Sequence, residues 1–124
     1  MAQPAEIVES FIAAWPEGDP AQLAAFFTED ATYHNIPMDP VVGREAILAT
    51  FASFMAMADR IHFDTTHLVA DGPLVMTERV DHFESADRTI SLPVMGVFEI
   101  DGDLIKAWRD YFDLGQFTTQ AGMG

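Results

Sequence analysis

The sequence RIHFDTTHLVADGPLVMTERVDHFE, residues 60–84, decides the fold class of this chain. Its polar and apolar residues follow a two-residue period, which is typical of β-strands whose side chains alternate between two faces. Asp71-Gly72 interrupts this period, and an Asp-Gly pair between two such runs is a strong signal for a β-hairpin. We therefore predict antiparallel strands over residues 60–69 and 74–84.

The two-residue period continues towards the C-terminus. It predicts strands over residues 89–100 and 104–113, with Asp101-Gly102 as a second hairpin turn. Gly96 lies inside the third of these strands and indicates a bend or a bulge. We expect residues 118–124 to form a loose tail.

The first half of the chain has a helical apolar period instead. We predict a helix over residues 4–16, a second helix that begins at the N-cap Asp19, and a third helix that follows Gly43. A short strand is predicted over residues 31–36. Helices that precede a run of antiparallel strands predict an α+β fold, here as one domain over residues 1–124, with the helices packed on one face of the sheet.

The composition restricts the class of protein. Acidic residues number 20 and basic residues 6, which gives a formal net charge of −14 in a chain of 124 residues. We expect neither a nucleic acid nor a membrane as partner, because both attract basic surfaces, and no apolar run approaches the ~20 residues of a membrane helix. The chain has no cysteine, which excludes disulfides and thiolate chemistry, and we expect a cytoplasmic protein without a signal peptide.

Several polar residues interrupt the apolar faces of the predicted strands. Arg79 and Asp81 share one face of their strand, either as an exposed surface ion pair or as part of a functional site. Asp110 shares a face with Trp108 and Phe112, where it could serve as a functional carboxylate or as an edge residue. A buried polar group needs a hydrogen-bond partner, so these positions are candidates for function.

Tyr33 and Asn35 share a face of the short strand, and both side chains can hold a water molecule. They could equally be polar residues that precede the turn at Pro37.

The remaining candidates for chemistry give weak signals. His34, His62, His67 and His82 lack the spacing of metal ligands, so we expect no metal ion. Ser91 lacks a neighbouring histidine pattern, which argues against a serine nucleophile.

Five short motifs together resemble the limonene epoxide hydrolases over about residues 5–117. In chain order they are YHNIP at 33–37, GR at 43–44, TERVD at 77–81, GVF at 96–98 and WRDYFD at 108–113. That family belongs to the cystatin-like superfamily of nuclear transport factor two, scytalone dehydratase and ketosteroid isomerase. The resemblance implies a cone in which N-terminal helices pack on a strongly curved, mixed or antiparallel sheet that encloses an apolar pocket.

The resemblance also implies a cofactor-free reaction, in which water opens a lipophilic epoxide in one step to a vicinal diol. By this likeness Asp81 is the general acid, Asp110 is the general base, and Arg79 holds both carboxyl groups. Tyr33 and Asn35 position the water. Push–pull opening of an epoxide needs an acid near its oxygen and a base near the water, which agrees with these roles.

The resemblance leaves room for other functions, because this fold hosts many of them. The alternatives are a polyketide cyclase, a steroid isomerase, or a ligand-binding domain without catalysis. A homodimer through the outer face of the sheet is implied by the family. The candidate residues for the pocket walls are Met76, Leu92, Val94, Trp108, Phe112 and Phe117.

Overall fold

The computed structural model describes residues 2–122 and packs helices on one face of a single sheet. The helices are α1 (Pro4–Ala14), α2 (Pro20–Ala24), α3 (Arg44–Met57) and α4 (Leu114–Gln120), with a 3-10 helix (Trp15–Glu17) after α1. The strands are β1 (Phe27–Asn35), β2 (Val41–Val42), β3 (Arg60–Asp71), β4 (Leu74–Glu84), β5 (Thr89–Asp101) and β6 (Leu104–Tyr111). This architecture confirms the predicted α+β class.

The sheet has the strand order β2-β1-β6-β5-β4-β3 over the described residues. Strands β3 to β6 form an antiparallel meander, whereas β1 pairs in parallel with β6, so the sheet is mixed. The two predicted hairpin turns are present, and both depend on a glycine with positive φ, 56° at Gly72 and 62° at Gly102. A positive φ is accessible to glycine at little cost, which explains these residues in the turns.

The first three helices begin where the sequence predicts, and strand β1 does not. The first helix tightens into the 3-10 helix at its end, where Pro16 lacks the N–H that an α-helical bond needs. Asp19 caps α2 as predicted, since its carboxylate accepts a hydrogen bond from the Ala21 N–H at 3.1 Å. Strand β1 begins at Phe27, four residues earlier than predicted.

The expectation of a loose tail is wrong for residues 118–120, which complete α4, and residues 121–122 form the turn that follows the helix. The Gln120 side chain bonds both backbone groups of Ser91, with Ser91 N to Oε1 at 2.7 Å and Nε2 to Ser91 O at 2.9 Å. Ser91 precedes the part of β5 that pairs with β6, so its free backbone edge is open to α4. Met123 and Gly124 lie outside the described residues.

Aromatic side chains form the centre of the core between the helices and the sheet. The Phe11 ring meets the Trp108 ring edge-on at 5.1 Å between centroids, and Phe98 stacks on the other side of Trp108 at 5.4 Å. Edge-on and offset contacts of this kind are the favourable geometries for aromatic pairs. Trp108 is therefore held rigidly at the centre of the molecule.

Within residues 2–122, none of the helices has the length and apolar character that crossing a membrane requires.

Candidate active site

A cavity opens on the face of the sheet that carries the helices. Its walls are mostly apolar, and four of the predicted wall residues line it: Leu92, Val94, Phe112 and Phe117. Phe117 reaches the cavity from α4, the helix that the sequence did not predict. Polar groups enter at one part of the wall, from Tyr33, Asn35, Asp81 and Asp110.

Arg79 lies behind this polar part and is only 1% exposed. It donates to Asp81 through Nε at 3.0 Å and Nη2 at 2.8 Å, and to Asp110 through Nη1 at 3.2 Å and Nη2 at 2.8 Å. A further bond joins Nη1 to Thr77 Oγ1 at 3.0 Å. A guanidinium has five N–H donors, so each donor of Arg79 has a partner. The group is fixed in position and holds both carboxyl groups with it.

Asp110 has a second support in Trp108. The indole Nε1 donates to Asp110 Oδ1 at 2.6 Å, on the strand β6 that carries both residues. Trp108 therefore lies beneath the cavity. Its prediction as a wall residue is wrong, because it is not among the residues that line the cavity. Its large ring belongs to the core, and only its N–H serves the site.

Tyr33 and Asn35 reach the cavity from β1. The parallel pairing of β1 with β6 places Asn35 opposite Asp110 and Tyr33 opposite Trp108. The Tyr33 ring stacks on Trp108 at 4.4 Å, and Asn35 Nδ2 donates to the Tyr33 hydroxyl at 3.0 Å. The structure thus brings both residues to the same cavity wall as Asp110, although 75 positions separate Asn35 from Asp110 in the sequence.

Burial controls the protonation of the site. It raises the pKa of the Asp81 carboxyl to about 6, although the Arg79 guanidinium opposes this shift. Burial also raises the pKa of the Tyr33 hydroxyl far above its ordinary value, and Asp110 adds to this effect. Burial alone would lower the pKa of Arg79, but the charges of Asp110 and Asp81 outweigh it and raise that pKa. Near neutral pH the site therefore contains a permanent cation, a neutral phenol and an Asp81 carboxyl that can still bind a proton.

Gly96 and Thr77 belong to the site, and sequence reasoning missed both roles. The sequence predicts a bend or a bulge at Gly96, but the register of β5 is continuous there, which excludes the bulge. A Cβ atom at Gly96 would lie 2.3 Å from Arg79 Nη1 and 2.9 Å from Thr77 Oγ1. Glycine is needed here because the guanidinium packs directly on the backbone, which is the other known reason for a glycine inside a strand.

Met76 corrects the predicted pocket lining. It lies on the outer face of the sheet, where it is exposed, and outside the cavity. Side chains alternate along β4, so Met76 must face away from Thr77, Arg79 and Asp81.

Two of the four histidines lie together on the same outer face. Strands β3 and β4 pair His62 with His82, and Asp64 lies close to both. The spacing of His62 and His82 in the sequence did not indicate this contact, because the two residues lie on different strands.

Comparisons with known proteins show the family to which this chain belongs. The SnoaL-like domain family matches residues 8–108. The epoxide hydrolase EphG of Mycobacterium tuberculosis is 32% identical over 109 residues, which are 86% of this chain and 71% of EphG.

Two solved structures show the same fold. An LEH-like epoxide hydrolase of M. tuberculosis superposes with a TM-score of 0.80 at 29% identity, over 96% of this chain and 90% of that one. A hypothetical protein with a ketosteroid isomerase-like fold, from Catenulispora acidiphila, superposes with a TM-score of 0.85 at 28% identity, over 99% and 96% of the two chains. The chain therefore belongs to the SnoaL-like domain family, has the cystatin-like cone fold that its sequence implied, and is related to an epoxide hydrolase.

Proposed function

We propose that this protein is a cofactor-independent epoxide hydrolase that adds water to a lipophilic epoxide and gives a vicinal diol. One observation carries the proposal: a single buried guanidinium holds two carboxyl groups at the edge of an otherwise apolar cavity. The relationship to epoxide hydrolases supports the same reaction.

The proposed mechanism divides the work between the two carboxyl groups. The Asp81 carboxyl gives its proton to the epoxide oxygen while the bond from that oxygen to one ring carbon breaks. A water molecule attacks this carbon, and the Asp110 carboxylate accepts the proton that the water loses. The cycle closes when a proton returns from Asp110 to Asp81. Each transfer needs its carboxyl group within hydrogen-bond reach of the reacting oxygen, and Asp81 and Asp110 both border the cavity.

Tyr33 and Asn35 would orient the attacking water. Both lie on β1 next to Asp110, and each offers a hydrogen-bonding group at the cavity wall. Arg79 serves the reaction by holding the acid and the base at a constant separation while the proton changes place. Its permanent charge also offsets whichever carboxylate is ionised, which is essential because a lone buried charge is costly.

The apolar walls define the class of substrate. A cyclic, terpene-like or aryl epoxide can replace the cavity water without leaving polar groups unpaired. Water removal also favours the neutral form of Asp81, whose pKa burial already raises. The fold and the walls therefore serve both binding and protonation.

A panel of epoxides tests the proposal directly. We expect diol formation from at least one of limonene oxide, styrene oxide and cyclohexene oxide, measured by gas chromatography. Binding without turnover across a broad panel would favour the ligand-binding domain.

A polyketide cyclase or a steroid isomerase needs only one acid–base carboxylate or a His–Asp pair, so the paired Asp81 and Asp110 favour hydration.

The source of the oxygen in the diol is a separate prediction. In a single turnover with excess enzyme in H₂¹⁸O, we expect the label in the diol, because water attacks the epoxide directly. A nucleophilic carboxylate would instead supply an unlabelled oxygen through an ester intermediate. Mass spectrometry distinguishes the two results, and unlabelled diol from the first turnover excludes the one-step mechanism.

The outer face of the sheet leads us to propose a homodimer. It carries exposed apolar side chains on four neighbouring strands, at Val69, Met76, Met95 and Tyr111. A contiguous apolar patch on a soluble protein commonly marks a contact with another protein. We expect Met95→Glu to shift the protein from dimer to monomer in light scattering, whereas Leu114→Glu, an exposed site on α4, should leave the dimer intact. A monomeric wild-type protein would contradict the proposal.

A further inference from the structure

Two imidazole groups and a carboxylate meet on the outer face of the sheet, opposite the cavity. His62 on β3 and His82 on β4 are register partners, and their rings stack at 4.6 Å between centroids. Asp64 lies two positions beyond His62, on the same face of β3. The three residues each offer a ligand atom, and these atoms all lie within 4.8 Å of one another. We propose that His62, Asp64 and His82 bind a divalent transition-metal ion such as Zn²⁺.

The imidazole planes lie 22° apart, so the rings and the Asp64 side chain must rotate before the three ligand atoms can converge on an ion. His82 Nε2 lies 2.9 Å from Asp64 Oδ2, and His62 Nδ1 lies 3.9 Å from Asp64 Oδ1. A tetrahedral Zn²⁺ has nitrogen and oxygen ligands at about 2.0–2.2 Å, so two of its ligands are roughly 3.4 Å apart. The observed separations lie on either side of this value. An aspartate side chain can adjust to close the difference.

The hydrogen bonds of the two imidazoles prepare the correct nitrogen atoms for the ion. His82 Nδ1 lies 2.8 Å from Ser91 Oγ, which leaves Nε2 towards Asp64. His62 Nε2 lies 2.6 Å from Glu84 Oε2, which leaves Nδ1 towards Asp64. Histidine ligands in metal sites commonly donate their other N–H to a carboxylate or a second oxygen, because this bond sets the tautomer and the ring orientation.

The two imidazoles are mostly buried, whereas the Asp64 side chain is exposed to solvent. The side chains of His62 and His82 are 22% and 20% exposed, while that of Asp64 is 64% exposed. The imidazoles are thus held by the sheet, and the Asp64 side remains open to solvent for entry of the ion and for a water ligand. Two imidazoles with one carboxylate suit Zn²⁺, Ni²⁺ or Cu²⁺ better than Mg²⁺ or Ca²⁺, which prefer oxygen ligands alone.

The ion would stabilise the folded chain and would take no direct part in epoxide opening. His82 and Asp81 are neighbours in β4 and face opposite sides of the sheet, so an ion at His82 does not enter the cavity. It would join β3, an edge strand, to β4 at the open end of their hairpin. An ion that binds only the folded chain stabilises it by mass action.

Zinc titration of the full-length protein after removal of metals tests the site. We expect calorimetry to show one Zn²⁺ ion per chain, with a rise in Tm that Mg²⁺ does not reproduce. His82→Asn and the exposed Asp64→Asn should each weaken binding by at least about ten-fold, which is the low end for losing even a supporting partner of a ligand. His67→Asn is the matched control, because His67 lies on the same strand and pairs with Glu78 at 2.8 Å.

The outcomes that would overturn the site are distinct from those that concern catalysis. No stoichiometric binding, equal binding of Mg²⁺, or unchanged binding in Asp64→Asn would each refute the metal site. Asp110→Asn, which removes the proposed base on the other face of the sheet, should bind Zn²⁺ like the wild type. A protein without hydrolase activity that binds one Zn²⁺ ion would therefore support the site and contradict only the proposed function.

Discussion

Asp110→Asn should remove nearly all epoxide hydrolysis from a protein that still folds. An amide cannot accept the proton of the attacking water, and loss of a general base costs about 10²–10⁴ in rate, or more when the group acts in a concerted unit. The amide oxygen can still accept from Trp108 Nε1 and Arg79 Nη1, so most of the support at this position remains. Values of kcat/KM for a turned-over epoxide measure the effect.

The stability of this variant should change much less than its activity. The amide nitrogen would face Arg79 Nη2, which loses the acceptor that it now has at 2.8 Å. An unmatched buried donor typically costs about 1–3 kcal/mol in the free energy of unfolding. Asp103→Asn, an exposed carboxyl in the turn between β5 and β6, is the control and should leave both quantities unchanged. A folded Asp110→Asn protein within about ten-fold of wild-type kcat/KM would exclude Asp110 as the base.

Gly96→Ala should lower the free energy of unfolding strongly, although it adds only one methyl group. The new methyl group would lie 2.3 Å from Arg79 Nη1 and 2.8 Å from Asp110 Oδ1, well inside van der Waals contact. An exposed arginine would move aside at little cost, but this guanidinium is buried and has hydrogen bonds to three side chains. Overpacking in a core costs about 1–3 kcal/mol, and breaking a buried ion pair costs about 3–5 kcal/mol.

Activity should fall together with stability in this variant. Arg79 cannot move without displacing Asp81 and Asp110, and small displacements of reacting groups reduce rates strongly. Urea unfolding and kcat/KM measure the two effects. The control is Gly115→Ala, where the nearest atom to the new methyl group is the Asp113 carboxylate at 3.2 Å. Wild-type stability and activity in Gly96→Ala would mean that the guanidinium does not pack on this backbone.

The sequence by itself determined the meander and one face of the candidate site. Alternation along residues 74–84 is a local property of an extended backbone, so it places Arg79 and Asp81 together whatever the rest of the chain does. The same rule places Met76 on the opposite face, so its prediction as a pocket-wall residue was inconsistent with the alternation of its own strand. The two turns were equally predictable, because a glycine with positive φ is required locally at each.

Only the tertiary structure decided which strands became neighbours. The parallel pairing of β1 with β6 brings Asn35 to Asp110. In the predicted β3–β4 hairpin, the register shift between Thr65 and His67 sets His62 opposite His82. Register between segments far apart in the chain depends on how the core closes around Trp108 and its aromatic partners, and no local period encodes it. The need for glycine at position 96 has the same origin, since it arises from a side chain on the neighbouring strand.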